Sequence, residues 1–359
     1  MSYSKNNGLT IIGPFPPPYS GTSIKNLTLR TELELANVEV RVINTAANRV
    51  RAILDLLVFT FSPSRRELII AVSINGRRLL IPYGFLATKL FRKMVVLMPC
   101  GGTMADDLIA MPVFHRRIYT RACNSFARIY AETQSMTNSL RQVLPQANVA
   151  LMYNFKRRPI APAKMPRTAT QPLLHLAYLG RLREEKGIFF LIAAAKLLMQ
   201  SKVGINLHFY GDFLSRDKEV EMRFYESIKS ADFIEYKGYL AAEEIQATLG
   251  NYDMLVFPTY YPGEGFPGVL IDAAFAGIPV VATDFAYNAE LVIDGVTGVL
   301  CSPRNADSLA KAIASFYDNQ RCLAMLGENA WSRSERFDSA LAVVRLLRVF
   351  RLSPNEEER

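Results

Sequence analysis

Four cysteines, three histidines and one tryptophan in 359 residues leave several common chemistries without material. Cys100, Cys123, Cys301 and Cys322 have neither metal-ligand spacing nor a paired framework, so a zinc module and a disulfide scaffold are excluded and a reducing cytoplasm fits. His115 falls in a basic helical pattern, and His175 and His208 fall in apolar strand patterns, so no histidine is a convincing general base. No Asp-x-Asp pair occurs, and no metal is expected. The greasiest stretch, residues 79–91, contains a lysine and is shorter than the roughly 20 residues that span a bilayer. The opening MSYSKNNG, followed by prolines from Pro14 to Pro18, lacks the layout of a secretory signal. Acidic residues are scarce in one half only. Residues 1–168 hold 23 Lys and Arg against 8 Asp and Glu, a net of +15, which leaves −6 for the remainder of a chain at +9. The first half should therefore face something anionic, and no nucleic-acid-binding signature accompanies it.

What the chain does have is strand and helix patterns in alternation, the mark of parallel sheets covered on both faces. Residues 254–258 form a short apolar run, 260–267 a Gly/Pro loop and 268–276 a small apolar helix stopped by Gly277, before a strand at 278–283. Pro267 is expected in the first turn of that helix. A loop that opens a helix behind a parallel strand presents free N–H groups and the positive end of a dipole, which suits phosphate. Pro267 has no N–H, leaving the amides of Gly268 and Val269 for an anion. Glu264 stands before the helix and Asp272 two turns inside it. Further upstream, a strand over 173–179 reaches a turn at Gly180, then Arg181 and Lys186, then an apolar helix over 188–199. Arginine offers a fork to two phosphate oxygens and lysine a point charge, so the pair fits a diphosphate. Gly211, after the strand at 205–210, marks another strand-end loop. Gly21 closes the loop after the first strand, 9–13, and reads equally as a phosphate-facing turn or a plain surface turn.

Glu264-Gly265-Phe266-Pro267, Asp272, then Gly277, Pro279 and Val280, together with Gly180-Arg181 and Lys186-Gly187, resemble the retaining glycosyltransferases of family 4, the glycosyl transferases group 1. The resemblance implies an α/β chain of GT-B fold, two doubly wound Rossmann-like domains with a cleft between them. It implies a UDP- or GDP-sugar donor, no further cofactor, and retention of the sugar's anomeric configuration. In that family the first acid, here Glu264, meets donor-sugar hydroxyls and the second, here Asp272, the ribose. Arg181 and Lys186 neutralise the diphosphate, and Glu290 matches a recurrent acid. The chain departs from the pattern in four places. Asp272 replaces Glu, Pro267 replaces Gly, Cys100 stands where a His is common, and Ser20-Gly21 replaces two glycines.

The expected domains are 1–168, binding the acceptor, and 169–335, binding the donor, with a helix at about 336–352 packing back on the first. Prolines at 159, 162, 166 and 172 mark residues 156–172 as the linker. The cations and aromatics from Arg77 to Lys93 suit a membrane interface or a core helix with basic ends, so an anionic membrane surface is a candidate partner and peripheral attachment a candidate location. The expected function is sugar transfer to a hydroxyl of a saccharide or a lipid-linked acceptor in cell-surface polysaccharide synthesis. The alternatives are a sugar-nucleotide binding or scaffold protein without turnover, favoured by Asp272, Pro267 and the missing His, or an epimerase or phosphorylase of the same architecture.

Overall fold

The computed structural model describes residues 8–17, 19–62, 67–163, 173–215, 217–317 and 319–350. The chain divides into two compact units, Met1–Arg157 with Phe337–Arg359, and Arg158–Arg336. Each is an α/β unit on a six-stranded parallel sheet, as the alternating pattern predicts.

In unit one the strands are β1 (Leu9–Gly13), β2 (Val40–Asn44), β3 (Glu67–Val72), β4 (Met94–Pro99), β5 (Arg128–Ala131) and β6 (Val149–Leu151), in the order β2-β1-β3-β4-β5-β6. Every residue of β1 and β3 is buried, as continuous apolar runs require when helices cover both faces. The connections carry α1 (Gly21–Leu35), α2 (Arg49–Phe61), α3 (Ile74–Phe91), α4 (Met104–Ala110), α5 (Val113–Asn124) and α6 (Gln134–Val143). Strand β5 stops at Ala131. The Thr133 hydroxyl accepts the Met136 N–H at 3.1 Å and starts α6.

Unit two holds β7 (Leu174–Leu179), β8 (Ile205–Tyr210), β9 (Ile234–Gly238), β10 (Met254–Phe257), β11 (Val280–Thr283) and β12 (Gly298–Cys301), in the order β12-β11-β10-β7-β8-β9. Its helices are α7 (Ile188–Gln200), α8 (Lys218–Ile228), α9 (Ile245–Leu249), α10 (Gly268–Ala276), α11 (Asn288–Leu291), α12 (Ala306–Ala314) and α13 (Gln320–Arg333). Counted from β7, the order is that of a dinucleotide-binding sheet, and its direction reverses between β7 and β10. In open sheets of this kind ligands bind outside the carboxyl ends of the strands at that reversal.

The last helix, α14 (Ser339–Phe350), returns to unit one. Its Ala342, Val343, Leu346, Leu347 and Phe350 pack on Leu9, Ile11, Leu29, Leu33 and Tyr130. Burying one such large side chain is worth about 1.5–3 kcal/mol, so the helix is part of that core. Residues 156–163, expected as linker, are docked instead. The Lys156 N–H donates to Phe337 O at 3.1 Å, and the Arg158 guanidinium lies 3.8 Å over the Trp331 ring. Residues 164–172 and those beyond 350 lie outside the described residues.

Candidate functional site

The parallel pairing of β7 with β10 sets their two exit loops side by side. The first, after Leu179, makes one tight turn (Glu184–Lys186) and ends on Gly187 at φ +78°. A Cβ at Gly187 would lie 2.0 Å from Pro258 O, so glycine alone lets this loop rest on the end of β10. The Tyr260 N–H donates to Glu185 O at 2.8 Å and ties the loops together. This closeness brings Lys186 Nζ to 2.5 Å from Glu264 Oε2. The Thr259 hydroxyl donates to the same oxygen at 2.9 Å. Thr259 is itself fixed, since the Thr283 hydroxyl donates to its carbonyl at 2.5 Å and the Asn288 amide to Thr283 O at 3.0 Å. Glu264 is thus a buried carboxylate on a rigid scaffold of buried groups, held by one cation and one hydroxyl.

Tyr178, buried on β7, donates its hydroxyl to Arg181 O at 2.8 Å and so shapes the turn that carries Arg181. Burial, and then the nearby Glu264 charge, push the Tyr178 phenol above its ordinary range, so it stays a neutral donor. The Arg181 guanidinium is exposed and makes no hydrogen bond or ion pair with a described residue. Gly211, at φ +127°, abuts Gly180, and a Cβ there would fall 1.9 Å from Gly180 O. These two glycines let the β7 and β8 exit turns touch.

Gly265 is half-buried and Phe266 buried in the loop that leads to α10. Pro267 is the residue that precedes α10, with φ −68° and ψ 116°, not a member of its first turn. The extended ψ ends the loop there, so the helix begins at Gly268. No side chain caps this start, and Gly268 and Val269 are its first residues. Asp272 lies buried on the second turn of α10, and Glu290 is half-buried in the short α11. Gly21 belongs to unit one. It opens α1, whose cap is the neighbouring Ser20 paired with Ser23, and a Cβ at Gly21 would meet open space.

Several residues of this site carry no motif. Arg183 pairs with Asp217 at 3.3 Å and lies 5.8 Å from the Tyr261 ring centre, while Arg304 lies 4.6 Å from that of Tyr260. Lys186 sits 5.1 Å from the Tyr261 ring. The adjacent tyrosines thus gather three cations from two segments, Arg183 and Lys186 from one loop and Arg304 from another. Thr259 and Thr283 leave a modest signal, a threonine closing each of two apolar runs.

In unit one, Asp107 is held by Arg77 at 2.8 Å and by the Thr103 hydroxyl at 3.0 Å, beside a cavity of about 420 Å³ that His115 also lines. Burial pushes the Cys100 thiol up to about 11, against the lowering effect of Lys25, so it is neither base nor nucleophile near neutral pH. Among the described residues no three His, Cys, Asp or Glu side chains gather as a metal site, and no helix is long and apolar enough to cross a membrane.

Residues 168–333 match the family described as glycosyl transferases group 1. The match covers a little under half of the chain. The chain is 36% identical over 158 residues to a glycogen synthase of Mycobacterium tuberculosis, an alignment covering 44% of this chain and 36% of that protein. The chain thus spans about a third of the length of the curated relative. Solved structures resemble it over both units. Anabaena HepE in complex with UDP aligns over 96% of this chain and 100% of its own, with a TM-score of 0.75 at 16% identity. The same protein with UDP-glucose aligns over 96% and 99%, with a TM-score of 0.72 at 17% identity. At such identity the likeness carries the fold, and the GT-B class expected from the motifs is the class of this chain. Within the matched segment, the β7 and β10 exit loops hold both Lys186 and Glu264.

Proposed function

We propose that the chain moves a sugar from a nucleoside diphosphate to a hydroxyl of a saccharide or lipid-linked acceptor, in the cytoplasm and for a cell-surface polysaccharide. The observation that carries this reading is the Lys186–Glu264 pair beside the uncapped start of α10, where the sheet reverses. UDP is the preferred nucleotide, by analogy with the ligands of HepE. The donor diphosphate takes over the Lys186 ammonium and recruits the free Arg181 guanidinium, while the Gly268 and Val269 amides face a phosphate oxygen. Glu264, released from Lys186 but still held by Thr259, then accepts a sugar hydroxyl. Asp272 takes the ribose hydroxyls, and Gly265, Phe266 and Glu290 line the donor. Gly180 and Gly211 keep the turns beneath it close.

The bond from the sugar's anomeric carbon to the phosphate oxygen breaks as charge grows on the diphosphate, and two cations and a helix start stabilise that charge without a divalent ion. The acceptor oxygen bonds from the same face and its proton passes to the departing phosphate oxygen, so configuration is retained and no protein base is needed. The test is release of nucleoside diphosphate from UDP- and GDP-hexoses in EDTA, with proton NMR of the new linkage. Turnover with a retained anomer is expected. An inverted product overturns the mechanism, and an absolute need for Mn²⁺ or Mg²⁺ overturns metal independence. Tight nucleotide binding with no release on any donor would favour the non-catalytic alternative.

A further inference from the structure

Helix α2 turns most of its large apolar side chains outward. Val50, Ile53, Leu54, Leu57, Val58 and Phe61 recur at the spacing of one helical face, and all six are at least half exposed. The opposite face, which meets the sheet and α3, buries Phe59 together with polar groups. Asp55 pairs with Arg41 at 2.8 Å, and the Thr60 hydroxyl meets the Tyr83 hydroxyl at 2.8 Å. Alongside, α3 exposes Leu79, Leu86 and Leu90, again on one stripe, and the Phe61 and Phe91 rings join the ends of the two helices at 5.4 Å. Contiguous apolar surface of this kind marks a partner. Its charge says which partner. From Arg41 to Lys93 ten lysines and arginines stand against two acids, Asp55 and Glu67. Asp55 is already paired and Glu67 is buried, whereas Arg51, Arg78, Lys89 and Arg92 are exposed. The segment 77–93 is not itself the basic face that its sequence suggests, because Arg77 and Lys93 turn inward, to Asp107 and to Ser62 O.

We infer that the outward faces of α2 and α3 are a docking surface for an anionic lipid bilayer. The leucine and phenylalanine stripes enter the acyl boundary while Arg51, Lys89 and Arg92 meet headgroup phosphate. A second copy of the chain fits poorly, since a two-fold contact would set these cations against their own copies. The inference rests on this surface alone and stands or falls apart from sugar transfer.

The test is sedimentation of the full chain with phosphatidylcholine vesicles and with equal mixtures of phosphatidylcholine and phosphatidylglycerol, across a salt series. Binding is expected to the anionic vesicles only, weakening as salt rises. The Leu54→Gln/Leu57→Gln variant should bind them at least about tenfold more weakly, since burying exposed apolar area drives such insertion. Its thermal midpoint and UDP affinity should not change, because both side chains face solvent. Arg51→Glu/Lys89→Glu should flatten the salt dependence. Equal binding to both vesicle types, equal binding by the leucine variant, no vesicle binding, or a vesicle-free dimer that the leucine variant dissolves would each overturn the inference.

Discussion

Each unit holds a lysine and a glutamate 2.5 Å apart near the C-terminal ends of its strands, and the two pairs differ in one respect that matters. Lys25 and Glu132 in unit one have side chains 4% and 5% exposed, whereas Lys186 and Glu264 in unit two are 18% and 10% exposed. In unit one the reversal of strand order, between β1 and β3, is filled by the chain itself. The Asn26 amide donates to Pro14 O and Ala71 O across it, and a Cβ on Gly13 would lie 2.2 Å from Ala71 O. In unit two the same reversal is bordered by a glycine turn and an uncapped helix. Burial alone would lower the Lys25 pKa, but Glu132 and the neighbouring Cys100 outweigh it and leave the pKa raised. A sealed pair serves the fold. A reachable one can change partner.

That contrast is open to test by breaking the pairs in turn. Lys25→Met should remove about 3–5 kcal/mol of stability, because Glu132 is left buried and uncompensated. Urea unfolding measures it, and a loss below about 1 kcal/mol would mean that the pair is not sealed. Lys186→Ala should do the reverse. Its loss of stability should be the smaller of the two, because Thr259 still donates to Glu264 and the Lys186 side chain is 18% exposed, but turnover should fall about a hundredfold, about 3 kcal/mol in the transition state, with Arg181→Ala similar. Normal rates in both variants would move the donor site elsewhere. Thr259→Val deletes a hydrogen bond to a charged group, worth about 1.5–3 kcal/mol. Here kcat should fall by about tenfold or more with little change in donor KM, and Thr259→Ser should restore it. If Ser and Val behave alike, the hydroxyl does not position Glu264.

The smallest effect concerns pH. His208 bonds the Tyr252 hydroxyl at 2.7 Å, and burial, then Lys237, lower its pKa against the pull of Glu235. The folded state therefore prefers a neutral ring. The stability from this preference is present above the unfolded value of about 6.5 and is lost as pH falls through the lower folded value. The thermal midpoint of His208→Gln should vary less between pH 7 and 5 than that of the parent, and parallel curves would remove His208 from the account.

The doubly wound class was legible because buried parallel strands are continuous apolar runs and their helices keep a separate period. α5 showed only as the basic pattern around His115, and the polar α8 left too weak a pattern to place. Lys186 and Glu264 each stood out in sequence, but the contact between them spans 78 residues and follows from strand order, which no local pattern carries. Thr259, Thr283 and Asn288 act through hydrogen bonds to backbone and carboxylate, and their residue types alone do not reveal that. The stripe on α2 could be counted along the chain, but which side of the helix meets the sheet could not. Only packing decides that, and here it turned the greasy side outward.

The return of α14 also sets an order of events on the ribosome. Strands β1 to β6 emerge first, but the helix that covers Leu9, Ile11 and Tyr130 is made only after all of Arg158–Arg336. At about 5–20 residues per second that delay is roughly 10–40 s, during which one greasy side of the nascent first sheet has only part of its cover, that of α1. The half of the protein translated second can therefore finish folding first, and the half translated first needs shelter, from a chaperone or the ribosome surface, until the last turn of the chain arrives.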